Sequence, residues 1–445
     1  MTDVVIRGGF VVTPGGIERV DVAVDDQSIA AIDGELPAGL SEIDARGLHV
    51  LPGVIDVHVH FNEPGHESWE GAATGSRALA AGGGTVFFDM PLNSIPCTVN
   101  AHEFDRKRQA LEAASITDFG LWGGLTPQSL DQMEELAARG VVGFKAFMCE
   151  SGLPEFPRAD EETLLAGMRI ASQVGLPVAV HAESDGMTRA LTRRHGAATP
   201  AAFLASRPLD AELDAIRTVL AIARETGARL HIVHVSSGSG VALAAAARAS
   251  GVDVSIETCP HYLFFTAADL ESLGTIAKCA PPLREDLEQD ALWNAVASGS
   301  VDIIGSDHSP AEPSMKQCAF GAAWGGIAGA QSTLPVMLDR GAHARGVPLP
   351  RLASLLAGNP ASRFRIQRKG ALQVGLDADM VLVDLEASSM LRAEDLLQRH
   401  AFSPYVGHSF QGLVRRTIRR GETIILDGRV VSETRGQFVR PALTQ

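Results

Sequence analysis

Apolar and polar positions along the 445-residue chain fall into two regimes. At both ends, short β-rich apolar runs are punctuated by glycine and proline. They lie at 4–6, 10–12, 20–24 and 29–32 at the start, and at 380–383, 413–418 and 423–426 towards the close. In the middle, apolar runs of strand length recur at 53–60, 84–90, 116–122, 141–147, 176–181, 230–235, 252–257 and 301–304. Several are separated by stretches with helical spacing, at 130–138, 161–173, 212–226 and 240–249. The alanine-rich part of the last of these, 241–249, reads as a buried helix.

About eight strand–helix units match the size of a (β/α)8 barrel of ~250 residues. The pattern therefore predicts an α/β fold with a TIM-type barrel over 53–360. Residues 1–52 and 361–445 together predict a small β-sandwich domain built from both ends of the chain. A doubly wound sheet is the alternative, but it does not explain the polar residues at the strand ends.

Composition narrows the function classes. Hydrophobic residues make up 45% and charged residues 20%, which excludes dominant disorder. The formal net charge of -15 repels phosphate backbones, so no nucleic-acid partner is expected. Glycine is abundant, at 45, while the aromatics are 17 Phe, 4 Trp and 2 Tyr. That suits an aliphatic α/β enzyme core better than a base-stacking module. The five cysteines show no C-x-x-C spacing and read as reduced thiols. The start lacks a basic, then apolar, leader, and no apolar run reaches ~18 residues. The expectation is a cytoplasmic protein without a membrane partner.

The chemistry sits at the C-terminal ends of the central runs, which converge on one mouth in a barrel. His58 and His60 are two apart and share one face of a strand. Alone, such a pair is more often superficial or structural. Lys145 lies amid apolar residues in 143–147, where a snorkelling side chain is the ordinary reading. His181 and His234 end two further runs, and Asp307 follows another. Any one of these histidines is more often a satisfied core residue. Together, from five strand ends, they predict a metal site. Imidazole and carboxylate suit zinc, and also iron, manganese or cobalt. The set can serve one ion generously or two sparingly. A pair of cations needs a bridging anion, whereas a Lys145 ammonium repels both. A carbamate formed on a neutral Lys145 from carbon dioxide supplies that bridge.

These motifs resemble the amidohydrolase superfamily, within it the cyclic amidohydrolases: dihydroorotases, hydantoinases or dihydropyrimidinases, and allantoinases. The resemblance spans nearly the whole chain. It is carried by 52–56 before the H-x-H pair, the Lys145 segment, His181-Ala182-Glu183, His234-Val235-Ser236-Ser237, 306–310 and 375–379. It implies two divalent cations bridged by carboxylated Lys145. One is held by His58, His60, Lys145 and Asp307, the other by Lys145, His181 and His234. It also implies Asp307 as the catalytic proton carrier, a small-molecule cyclic ureide substrate and a homotetramer.

Within the group, Asn62 stands where dihydroorotases carry an arginine that pairs with the substrate carboxylate. An asparagine forms no charged fork and suits a neutral ureide. Hydantoinases place a tyrosine soon after the bridging lysine, whereas Phe147-Met148-Cys149 stands here. The segments 62–71, 89–94, 277–282, 324–329 and 402–407 are similar to allantoinases. Hydrolysis of the hydantoin ring amide of allantoin is therefore expected, with a hydantoinase or dihydropyrimidinase as the alternative. The resemblance adds Asn62, Asn93 and backbone groups near Ala280 and Ala328 as substrate-binding candidates. Ser309 is a weaker hydroxyl candidate. Asp89, His261 and His308 are expected to support the site from behind. A non-catalytic scaffold is the rival of a different class, and the full set of ligand positions argues against it.

Overall fold

The computed structural model describes residues 2–442. Five strands open the chain: β1 (Val4–Thr13), β2 (Gly16–Asp25), β3 (Ser28–Asp33), β4 (Ser41–Asp44) and β5 (His49–Pro52). The expected strands 4–6 and 10–12 are one, because the register of β1 on β2 shifts between Ile6 and Gly9 without breaking the ladder. A bulge there absorbs the glycines that read as punctuation.

The barrel follows. Its strands are β6 (Val54–Val59), β7 (Gly84–Asp89), β8 (Asp118–Leu121), β9 (Gly123–Gly124), β10 (Phe144–Phe147), β11 (Val178–His181), β12 (Leu230–Ile232), β13 (Val254–Thr258) and β14 (Ile303–Ile304). The ladders β6-β7-β8 and β9 to β14 run parallel throughout. β8 and β9 are one strand interrupted at Trp122, whose N–H donates to the Asp89 carbonyl at 3.1 Å. The ring closes beyond β14, where Val59 bridges His308 and the His60 N–H donates to the His308 carbonyl at 2.8 Å. Near-continuous burial of β6, β7 and β13 is what a parallel sheet covered by helices requires.

The helices form the outer layer. Helix Glu161–Val174 starts where Asp160 accepts from the Thr163 N–H and ends at Gly175 in the left-handed region. Such a cap contributes about 1 kcal/mol. Helix Gly238–Ala249 corrects the expectation of a buried alanine-rich helix. Only Gly238, Gly240, Val241 and Ala244 are buried. Alanine composition reports helix propensity here, while the position outside the barrel leaves the other face open.

The chain then returns with β15 (Met380–Met390), β16 (Ser409–Arg419), β17 (Glu422–Leu426) and β18 (Arg429–Val430). They join the opening strands in one nine-stranded sheet. β5 sits at its centre, parallel to β1 on one side and antiparallel to β15 on the other. Val11, Val22 and Val50 from the start share a core with Met380, Leu382 and Ile418 from the close. A buried ionic cluster ties this sheet to the barrel. Lys369 Nζ lies 2.6 Å from Asp379 and 2.8 Å from Asp118 of β8, and Arg420 also pairs with Asp118. Residues 436–439 run back to the barrel, where Phe438 bridges Phe119. Among the described residues, no helix is long and apolar enough to cross a membrane.

Candidate metal centre

Every strand end singled out in the sequence opens on one cavity of about 760 Å³. His58, His60, Lys145, His181, His234 and Asp307 all line it. His58 and His60 do share a face, since Val57 and Val59 between and beside them enter the apolar core. Their Nε2 atoms lie 3.2 and 3.5 Å from Asp307 Oδ1. On the far side, His181 Nδ1 lies 3.1 Å from His234 Nε2. The imidazoles form a chain, with ring centroids 5.5 Å apart for His60 and His58, 5.4 Å for His58 and His234, and 4.7 Å for His234 and His181. His234 and Asp307 both have positive φ, at 38° and 46°, a strained setting that clusters at functional sites.

The protonation states suit cation binding. Burial pushes the His60, His181 and His234 pKa values down, so each ring is neutral near pH 7. His58 Nδ1 contacts Glu257 at 2.8 Å and His181 Nε2 contacts Glu183 at 2.8 Å. Each carboxylate takes the N–H and leaves the other ring nitrogen with a lone pair facing the cavity. Burial works against ionisation of Asp307, but His58, His60 and His234 hold its carboxyl well below the usual range. Lys145 is fully buried, and its Nζ has no hydrogen-bond partner. Burial lowers its pKa to about 8, against the opposing pull of Asp307 and Glu257. A buried, unpartnered amine is costly as it stands. Neutral imidazoles, an ionised carboxylate and an orphaned amine fit a cation site that completes them all.

Comparison with known proteins agrees. The model of the amidohydrolase family matches residues 49–424. The chain belongs to the amidohydrolase family. An allantoinase of Solibacter usitatus is 57% identical, over 99% of this chain and 97% of its own length. One of Rubrobacter xylanophilus is 54% identical, over 99% and 98%. The solved L-hydantoinase of Arthrobacter aurescens superposes with a TM-score of 0.96 at 32% identity, covering 99% of this chain and all of that one.

The remaining candidates of this amidohydrolase divide. Asn93 and Ala280 line the cavity. Asn93 Nδ2 also lies 3.1 Å from His60 Nδ1, so the residue orients that ring. Asn62 and Ala328 are not among the residues that line the cavity. The Asn62 backbone turns through a φ of 63°, and its side-chain N–H faces the Pro310 carbonyl at 3.5 Å. The Ala328 carbonyl accepts from Ser403 Oγ at 2.6 Å. Ser309 lines the wall as expected. Behind it, His308 Nδ1 accepts from the Gly329 and Ala330 N–H groups, and Asp89 accepts from the Phe61 N–H. Burial raises the Cys149 pKa to about 12 and the Cys259 pKa well above 9, so neither thiol is a nucleophile.

Two acids behind the ligands escaped the sequence reading. Glu257 contacts His58 and His231 through its two oxygens and accepts from the His234 N–H at 3.2 Å. Burial opposes its charge, yet His58 and His231 hold its pKa down to about 2. Gly305 makes room for this, since a Cβ there would meet the Glu257 carboxyl at 3.0 Å and the His58 Cβ at 3.2 Å. Glu212 accepts from both Ser236 and Ser237, which explains the paired serines after His234. The signal for Glu257 was present, because it ends an apolar run just as the ligands do. Replacing Glu257 with glutamine is expected to weaken metal affinity by about 10–100-fold. Titration of the metal-stripped variant against activity checks this, and an unchanged affinity contradicts it.

Proposed function

We propose that the chain is a metal-dependent allantoinase, hydrolysing the hydantoin ring amide of allantoin to allantoate. The full-length likeness to curated allantoinases carries this reading. We assign His58, His60, Lys145 and Asp307 to one divalent cation, and Lys145, His181 and His234 to the other. Zinc is the first choice, with iron, manganese or cobalt as alternatives. Lys145 serves as a carbamate. Its amine nitrogen forms a bond to the carbon of carbon dioxide and loses a proton, leaving an anion with two oxygens to share. Burial of the amine favours the neutral form that this reaction needs.

When bound, the cations supply an acidified water and polarise the scissile carbonyl. The chain's own residues do the rest. Asp307, held ionised, accepts the water's proton on a carboxylate oxygen and returns it to the departing ring nitrogen. Glu257 and Glu183 fix the His58 and His181 rings in one tautomer. Phe147 stacks on His181 at 4.5 Å and keeps water from that ring face. Asn93 and the backbone at Ala280 hold the ring amide. The same reading expects a cytoplasmic homotetramer.

The 0.96 superposition on an L-hydantoinase favours hydantoinase or dihydropyrimidinase activity as the second reading. Steady-state rates of the metal-loaded enzyme on allantoin, hydantoin and dihydrouracil separate the two. Allantoin is expected to have the highest kcat/KM. Negligible allantoin turnover with a full metal complement overturns the first reading, and a preference for hydantoin selects the second.

A further inference from the structure

The cavity is roofed by the loop 313–326, which follows the Asp307 strand end. Met315, Trp324 and Gly325 of this loop face the cavity. Its own secondary structure is slight, a single turn at Pro313–Lys316 and another at Phe320–Ala322. Two lysines hold it in place. Lys316 Nζ donates to the carbonyls of Thr275 at 2.9 Å, Trp324 at 2.9 Å and Gly326 at 2.7 Å. Lys278 Nζ donates to the carbonyls of Phe320 at 2.8 Å, Gly321 at 3.3 Å and Ala323 at 2.7 Å. Thr275 Oγ1 donates in return to the Lys316 carbonyl at 2.7 Å.

Both lysines are buried, and no carboxylate is among the groups that act on either charge. Burial lowers the pKa of both, that of Lys316 to about 7. A lysine amine taken out of water without a counterion is costly unless its N–H bonds are used. Here they are used on backbone carbonyls alone, which draws the roof onto the segment that carries Ala280. The loop is keyed at its far end as well. A Cβ at Gly326 would meet the Ser309 carbonyl oxygen at 2.4 Å, so the backbone passes hard against the Asp307 strand end. The loop is thus tied by the two lysines and pressed against Ser309 at Gly326.

We propose that Lys316 and Lys278 are positioning residues for the hydrolysis, fixing the 313–326 loop so that Trp324 and Gly325 meet the substrate in one geometry. The substrate's identity rests on the allantoinase reading, but the fixing of the roof does not. The test uses metal-loaded Lys316→Met and Lys278→Met enzymes with verified metal content. Hydrogen exchange of the roof amides is expected to quicken by at least about tenfold, with the barrel strands unchanged. KM for allantoin is expected to rise by about tenfold while kcat falls less. Thr275→Val removes only the returning hydroxyl, and it is expected to move both readouts the same way by a smaller factor. It decides the matter if Lys316→Met does not fold. Roof exchange and KM both within twofold of wild type overturn the proposal. So does faster exchange spread evenly over the barrel with KM unchanged, which assigns the lysines to general stability. If the wild-type enzyme leaves allantoin untouched, the allantoinase reading falls and the exchange measurement alone decides on the roof.

Discussion

Exchanging Asp307 for asparagine is expected to lower kcat on allantoin by at least roughly 10³-fold, because proton transfer in both directions is lost together. The substitution is nearly isosteric. It also tolerates the positive φ of 46° at this position, since asparagine adopts the left-handed region more readily than most residues. Backbone strain therefore does not confuse the result. The amide can still face His58 and His60, but it takes up no proton near neutral pH. Metal analysis beside the kinetics separates two effects. A collapse of kcat with both metals retained identifies the proton carrier. A kcat within about tenfold of wild type removes Asp307 from that role.

Lys145→Met tests the bridge. A methionine fills the same buried space without an amine, so it forms no carbamate. Binding of both cations is expected to weaken, with activity falling below detection. The metal-stripped variant is expected to be at least as stable as the metal-stripped wild type, since the fully buried and unpartnered Nζ is removed. Metal content, turnover and thermal unfolding are read on the same preparation. Retention of both metals with activity refutes the carbamate bridge. A fall in Tm alone shows instead that Lys145 serves packing.

The candidate ligand residues were legible because chemistry at a barrel mouth leaves a regular trace. Each lies in or just beyond the last residues of an apolar run, and the spacing of the runs places those ends together. His58, His60, Lys145, His181, His234 and Asp307 all line one cavity for that reason. Side-chain direction left no such trace. Asn62 and Ala328 sit in motifs beside the candidate ligands, yet the Asn62 side chain contacts the Pro310 carbonyl and Ser403, from the far end of the chain, donates to the carbonyl of Ala328. Glu257 and Glu212 were missed for the complementary reason. Their work lies in contacts between elements, such as the 2.8 Å approaches of Glu257 to His58 and of Glu212 to Ser237, and the end of an apolar run marks where Glu257 sits but not what it touches. The strand–helix alternation was read within a few residues at most positions. Element ends moved where pairing, rather than local composition, sets the limit, as in β15, which runs on to Met390 against β16.

The shared terminal sheet has a consequence for how the molecule is made. A ribosome delivers β1 to β5 long before β15 and β16 exist, and domains ordinarily close from the N-terminal side during synthesis. Here β5 must wait for residues 380–383 to cover its second edge, and Phe119 of the barrel must wait for residues 437–439. The newborn chain therefore carries open strand edges through the synthesis of the whole barrel. The strands that emerge after the barrel work as a clasp, since β15 closes the open edge of β5.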